Sequence, residues 1–346
     1  MSVHSVLCLH SETPIIEYRR ILHGYYKVLK ITDPDQWLKV KMPFINLTLL
    51  DQTELSPWDS IGKYTVPDSF DKHLETLQFS KKIMKYDDLV SRVTGGRRIL
   101  MEGRPGAGKS TFLRQIAKQW GHETELTDFA LLILVQLGRD VDTPILNFTA
   151  LLELHPYSYQ YTDRVEGMLR RTGGKDICFL IDGFDEYIPA ANPIKNDFVY
   201  RLVQREELPW STVIVTSRPN ASYSLRDHFD HNVEVFGFQS SQVHEYVKEF
   251  YSGDERKVQQ FQGYLDEHIN VKHMCYLPLH LTMILYYGNH AMLPDTESEM
   301  YKVFVLLTFT HYQFKLYHEE EEVEVEEFEQ LKPDIYELFL NILMIT

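Results

Sequence analysis

The chain has 346 residues, 44% of them hydrophobic, and a formal net charge of −15. A chain of this length holds two or three domains. Its acidity disfavours general nucleic-acid binding, because the Arg-Arg pairs at Arg19–Arg20, Arg97–Arg98 and Arg170–Arg171 are scattered and form no patch. Three cysteines, Cys8, Cys178 and Cys275, with no C-x-x-C pair, argue against a disulfide framework or a zinc site and fit a reducing compartment.

The opening stretch MSVHSVLCLHSETP has neither a basic start nor a long apolar run and does not read as a secretory signal. Residues 1–80 mix short helical and extended patterns. Within them, Val40, Met42 and Phe44 alternate against Lys39, Lys41 and Pro43 as in a strand, and ELSPWDSIGKYTVPDS reads as a turn-rich linker. From about Ser80 the character changes. RILME, FALLILVQL, DICFLID, STVIVTS and HNVEVFGF read as strands alternating with helices, which predicts βαβ units and a parallel sheet covered on both faces. Cys178 falls in one of these strands and reads as a small core residue.

After Gln239 the strands stop. SSQVHEYVKEFYSG is expected to open a helix capped by Ser240 or Ser241. Met274 to Pro294 contains no charged residue, but Pro278, His280, Gly288, Asn289 and His290 interrupt it. A buried helix followed by a turn is expected there rather than a membrane span, and the protein is expected to be cytosolic. The acidic run from His318 to Gln330 reads as a solvated loop.

The chemistry is concentrated in GRPGAGKST: Gly103, Arg104, Pro105, Gly106, Ala107, Gly108, Lys109, Ser110 and Thr111. It fits G-x-x-x-x-G-K-[ST] between a buried strand and a helix with Phe112, Leu113, Ile116 and Ala117 on one face. Glycines let backbone N–H groups curl around a phosphate, and the helix N-terminus attracts anions. Lys109 is then placed to reach the β- and γ-phosphates, and Ser110 to ligate Mg²⁺. The strand Ile177–Ile181 ends in Asp182, where a parallel sheet presents its carboxyl edge, and Asp182 is read as a second Mg²⁺ ligand acting through water. Asp185 and Glu186 follow. Either could orient or deprotonate an attacking water, and one of the two could be an exposed loop charge. STVIVTS ends beside them in Arg218, read as a γ-phosphate sensor with a surface strand-end arginine as the alternative. The strand inserted between the phosphate loop and Asp182 points to a P-loop NTPase of the additional-strand ATPase class, and the missing N-K-x-D motif favours adenine over guanine.

Together LMEGRPGAGKSTFL, CFLIDGFDEY and VIVTSRP resemble the Walker A, extended Walker B and sensor segments of NACHT domains, found in NOD-like receptors among the signal-transduction ATPases with numerous domains. MCYLPLHLTMI resembles the helical segment whose proline packs on adenine in that family. Here the proline is Pro278, and Tyr276 stands where the family has a glycine. VQLGRD is similar to a stretch with an arginine after the second strand, which is Arg139 here. The resemblance divides the chain into a linker region (1–80), a nucleotide-binding domain (81–238), a helical domain (239–292) and a closing stretch (293–346) similar to the end of the helical region and the beginning of a winged helix.

It implies an intracellular, innate-immune-like switch that binds ATP or ADP with Mg²⁺, hydrolyses slowly and self-associates in the ATP state. A constitutive mechanochemical ATPase and a nucleotide-stabilised scaffold without hydrolysis are the alternatives. Neither His311 nor His318 matches the family histidine that contacts ADP, so quick ADP release is expected of this stretch of chain.

Overall fold

The computed structural model describes residues 13–29, 43–51, 82–137, 144–155, 162–187 and 197–317. Cys8, Val40, Met42, the turn-rich linker, Arg139 and the acidic run lie outside them, as does all of the closing stretch after Tyr317.

Seven strands form one sheet: β1 (Thr48–Asp51), β2 (Lys82–Met84), β3 (Arg98–Gly103), β4 (Leu131–Gln136), β5 (Ile177–Asp182), β6 (Thr212–Ser217) and β7 (His231–Gly237). Their order is β2-β1-β7-β3-β6-β5-β4, with β7 to β4 parallel and β1 and β2 antiparallel. The five expected strands are all present. β3, β5 and β6 are buried along their whole length, the mark of strands covered on both faces. Since β6 lies between β3 and β5, the strand carrying the phosphate loop and the strand ending in Asp182 are not neighbours. This is the additional-strand arrangement of a P-loop fold.

Among the described residues, helices of six residues or more that accompany the sheet are α1 (Thr13–Lys27), α2 (Tyr86–Arg92), α3 (Lys109–Gly121), α4 (Phe148–Glu153), α5 (Thr162–Thr172) and α6 (Phe198–Val203). On α3, Phe112, Leu113, Ile116, Ala117 and Trp120 are buried at helical spacing, so one apolar stripe turns to the sheet. A helical region follows: α7 (Ser240–Phe250), α8 (Glu255–Glu267), α9 (Ile269–Met274), α10 (Pro278–Gly288) and α11 (Glu297–Tyr317). The uncharged Met274–Pro294 stretch is mostly α10, and no described helix is long and apolar enough to cross a membrane. The cap of α7 differs from expectation. It is Gln239, because the Gln242 side chain reaches back to accept the Gln239 N–H at 2.7 Å.

The outer edge of β4 meets α1. The Tyr26 hydroxyl accepts from Leu134 N at 2.9 Å, donates toward Leu132 O at 3.3 Å and lies 3.1 Å from Nε2 of the buried His155. Cys178 is buried in the core, as expected.

Arg98, in one of the scattered arginine pairs, is a core residue. Its guanidinium is fully buried at the start of β3 and donates to the carbonyls of Leu202 (3.1 Å), Gly96, Leu208 and Ser211. Burial pulls its pKa down to about 10, so it stays charged at neutral pH. One side chain thus closes the loops that enter β3 and β6. Arg98→Met would orphan several of these carbonyls, at about 1–3 kcal/mol for each buried acceptor left unpaired. The expected loss is about 3 kcal/mol of unfolding free energy, read as a lower urea midpoint at unchanged slope.

Candidate functional site

β3 delivers Gly103 to a loop that turns into α3. Gly103 itself is hemmed in: a Cβ there would sit 2.7 Å from the Val235 carbonyl of β7. Gly106 and Gly108 take φ of 76° and 99°, which L side chains rarely adopt. Gly108 is the N-cap of α3 and supplies no side-chain cap, so the first-turn N–H groups are left to face the loop. Arg104 and Pro105 are exposed at the loop's tip, and Ala107 is buried beneath it. Lys109 Nζ donates to the carbonyls of Gly103 (2.7 Å) and Arg104 (3.1 Å). Burial lowers its pKa. The negative charges of Asp185, Asp182 and Glu186 oppose that, and Arg218 adds to it.

Asp182, at the end of β5, is 6% exposed. Its Oδ1 accepts from Ser110 Oγ at 3.1 Å and from Thr216 Oγ1 at 2.6 Å, and the Thr216 oxygen in turn accepts from Gly183 N at 3.0 Å. Ser110 and Asp182, read from the sequence 72 residues apart, are therefore in direct contact. Thr216 was missed; its position two residues before Arg218 on a buried strand is the only trace it leaves in the sequence. Ser110 and Asp182 offer oxygen donors alone, the set Mg²⁺ prefers when it keeps waters and phosphates as its other ligands. No group of three or more His, Cys, Asp or Glu that could hold a metal occurs among the described residues.

Beyond Gly183 (φ 81°) a 3-10 turn, Phe184–Glu186, carries the acidic pair. Arg218 brings its Nε to 2.7 Å from Asp185 and its Nη2 to 3.9 Å from Glu186. The Asp185 side chain is 9% exposed and that of Glu186 45%, so the arginine holds the more sheltered carboxylate closely and the more open one loosely.

The helical region closes the loop from the other side. Leu279 N donates to Gly106 O at 3.3 Å, and Phe238 N to Tyr276 O at 2.8 Å. Pro278 sits in the first turn of α10 and lines a cleft with Leu279, Thr282, Phe238 and Tyr246; Gly106, Gly108, Lys109, Ser110 and Thr111 form the facing wall. A third wall was not anticipated: Pro43, Phe44, Ile45 and Leu47, from the segment leading into β1. Gln242 of α7 holds that segment, donating to Asn46 O and accepting from Thr48 Oγ1 at 2.8 Å. Tyr276 has a use for its backbone regardless of its side chain, whose hydroxyl lies 3.1 Å from Ser240 Oγ.

Residues 97–254 match the family model for the NACHT domain. Among curated proteins, the NLR family CARD domain-containing protein 4 of Xenopus tropicalis is 24% identical over 225 residues, 63% of this chain. The chain spans about a fifth (22%) of that relative's length. Among solved structures, the Holliday junction branch migration motor RuvB of Thermotoga maritima is similar at a TM-score of 0.30 and 14% identity, over 63% of this chain and 72% of that one. A variant of the same motor gives the same score and identity. A likeness that loose carries no argument, and the fold rests on the strand order above.

Gly237 ends β7 where the chain passes from the sheet to the helical region, with φ 113° and a notional Cβ only 2.4 Å from Tyr276 O. Gly237→Ala should force the two apart and loosen the cleft. The expected result is faster limited proteolysis between β7 and α7, with the sheet itself still resistant.

Proposed function

We propose that this chain, whose residues 97–254 match the NACHT domain model, is an ATP- and ADP-responsive intracellular switch with slow hydrolysis. The observation that carries this reading is the cleft's construction from two bodies, the phosphate loop on one side and Pro278 with Leu279 on the other. A nucleotide touching both shifts their relative position by the difference in what it contacts in each arrangement.

In this reading Lys109 and the N–H groups of the loop and first helical turn hold the phosphates. Ser110 and Asp182 would hold Mg²⁺, which would supply charge neutralisation to the phosphates. Thr216 keeps the Asp182 carboxylate turned toward Ser110. Glu186, the more exposed of the acidic pair, orients the attacking water and accepts its proton, while Asp185 steadies Arg218. Arg218 senses the γ-phosphate from the end of β6. Pro278 packs against adenine, and the apolar Pro43–Leu47 wall excludes water from the base. The ATP-bound arrangement favours self-association, and protein partners act through regions beyond this stretch. An innate-immune setting is the reading the resemblance favours.

Lys109→Ala should weaken ATP and ADP about ten- to hundredfold, the equivalent of a charge-assisted contact worth roughly 1.5–3 kcal/mol. Titration with a fluorescent nucleotide measures it, and unchanged affinity would remove the phosphate loop from the reading. Glu186→Gln should slow hydrolysis with binding nearly intact, whereas Asp182→Asn should impair Mg²⁺-dependent binding too. Turnover also separates the switch from a constitutive motor, since steady rapid hydrolysis without any trigger would contradict slow switching. ATP should displace labelled ADP far better than GTP does; equal competition would overturn the adenine preference.

A further inference from the structure

Directly beneath the phosphate loop lies a buried ion pair that none of the roles above uses. Glu102, the residue before Gly103, is 2% exposed. Arg226 grips it with two donors, Nη2 to Oε2 at 2.5 Å and Nε to Oε1 at 3.0 Å. The Ser222 hydroxyl lies 2.5 Å from Glu102 Oε1 and 3.1 Å from the carbonyl of Arg218, so its single hydrogen is shared between the two. Glu102 is far from Ser222 and Arg226 in sequence, separated from them by 120 and 124 residues.

Stability alone does not account for this arrangement. Removing two charges from water is costly, and a well-packed apolar pair of similar size often does as well or better. What a bidentate carboxylate–guanidinium pair adds is fixed geometry. Here the fixed element is the short turn Pro219–Ser222, which Arg218 caps. At its far end that turn is tied through Ser222 and Arg226 to the strand that carries the phosphate loop. Glu102 cannot shift without Gly103 shifting too. We propose that Glu102, with Arg226 and Ser222, is the positioning device that sets where Arg218 stands relative to the phosphate loop, so that triphosphate recognition by Arg218 depends on a carboxylate on the neighbouring strand β3.

The inference rests on the reading of Arg218 as the cation that senses a third phosphate, and the test separates the two. Affinities for ADP and for the non-hydrolysable β,γ-imido analogue of ATP are measured by competition against labelled ADP. The proteins compared are the unaltered chain, Arg218→Ala, Glu102→Gln, and the double variant. Arg218→Ala should lower affinity for the triphosphate analogue about tenfold and leave ADP nearly unchanged, the effect of one lost charge-assisted contact. Glu102→Gln should reproduce most of that selective loss. In the Arg218→Ala background it should add less than about twofold, because the two substitutions remove one shared interaction. Ser222→Ala, a milder cut of the same tie, should give a smaller loss of the same kind and serves where Glu102→Gln fails to fold.

A merely structural Glu102 would behave otherwise: ADP and triphosphate affinities would fall together, or the loss would persist in full without Arg218. Either result overturns the proposal while leaving Arg218 as sensor intact. An Arg218→Ala variant that still distinguishes the triphosphate analogue as well as the unaltered chain overturns the sensor reading, and the positioning role with it.

Discussion

The structure is organised around one loop whose three glycines are crowded from three sides. Three glycines of the phosphate loop are each pressed by a different part of the chain. Gly103 faces the backbone of β7 at Val235, Gly106 faces Leu279 of α10, and Gly108 faces Leu47 from the segment before β1, with notional Cβ contacts of 2.7, 3.1 and 2.9 Å. Sheet, helical region and N-terminal segment therefore meet at a single turn. Close packing of this kind transmits displacement instead of absorbing it. Whatever moves the loop moves three walls, and whatever moves a wall is felt at the loop.

A second convergence lies in the carboxylate of Asp182. Its Oδ1 ties Ser110 of α3 to Thr216 of β6, and β5 carries it. Three elements that are remote in the chain are held in register by one oxygen atom. The neighbouring charges follow the same economy of parts: Arg218 spans both carboxylates of the 3-10 turn, and the Lys109 ammonium is held against backbone carbonyls at the foot of its own loop. The cluster mixes both signs within a few ångströms, which is why burial and like charge lower the lysine's pKa while the carboxylates resist that shift.

What could be read from the sequence was what local pattern encodes. The strand, loop and helix around Gly103–Thr111 carry their own periodicity and glycine spacing. The strand ending in Asp182 is a continuous apolar run closed by an acid, and the order of the strand-like runs was enough to predict the additional-strand class. What stayed hidden depends on distant pairing. The buried role of Arg98 leaves no sequence signal because its partners are carbonyls that any sequence supplies. Pro43, Phe44, Ile45 and Leu47 form a cleft wall with no motif, since apolar contact needs only size and position. β1 begins at Thr48, after Phe44, and its register is set by pairing with β7 and β2. Gln239 caps α7 in place of the expected serine, and Gln242, which reaches back to its N–H, also donates to Asn46 O nearly two hundred residues away.

The meeting of Tyr26 with the rim of β4 has a consequence for assembly. An exposed strand margin offers a row of unpaired donors and acceptors on which another chain can add a strand. Here the phenol of α1 occupies the outward-facing groups of Leu132 and Leu134, and the helix body stands in front of them. Copies of this protein that gather must do so through side-chain surfaces and not by zipping sheet to sheet along β4. Dislodging α1 would uncover the backbone groups of Leu132 and Leu134 at that margin.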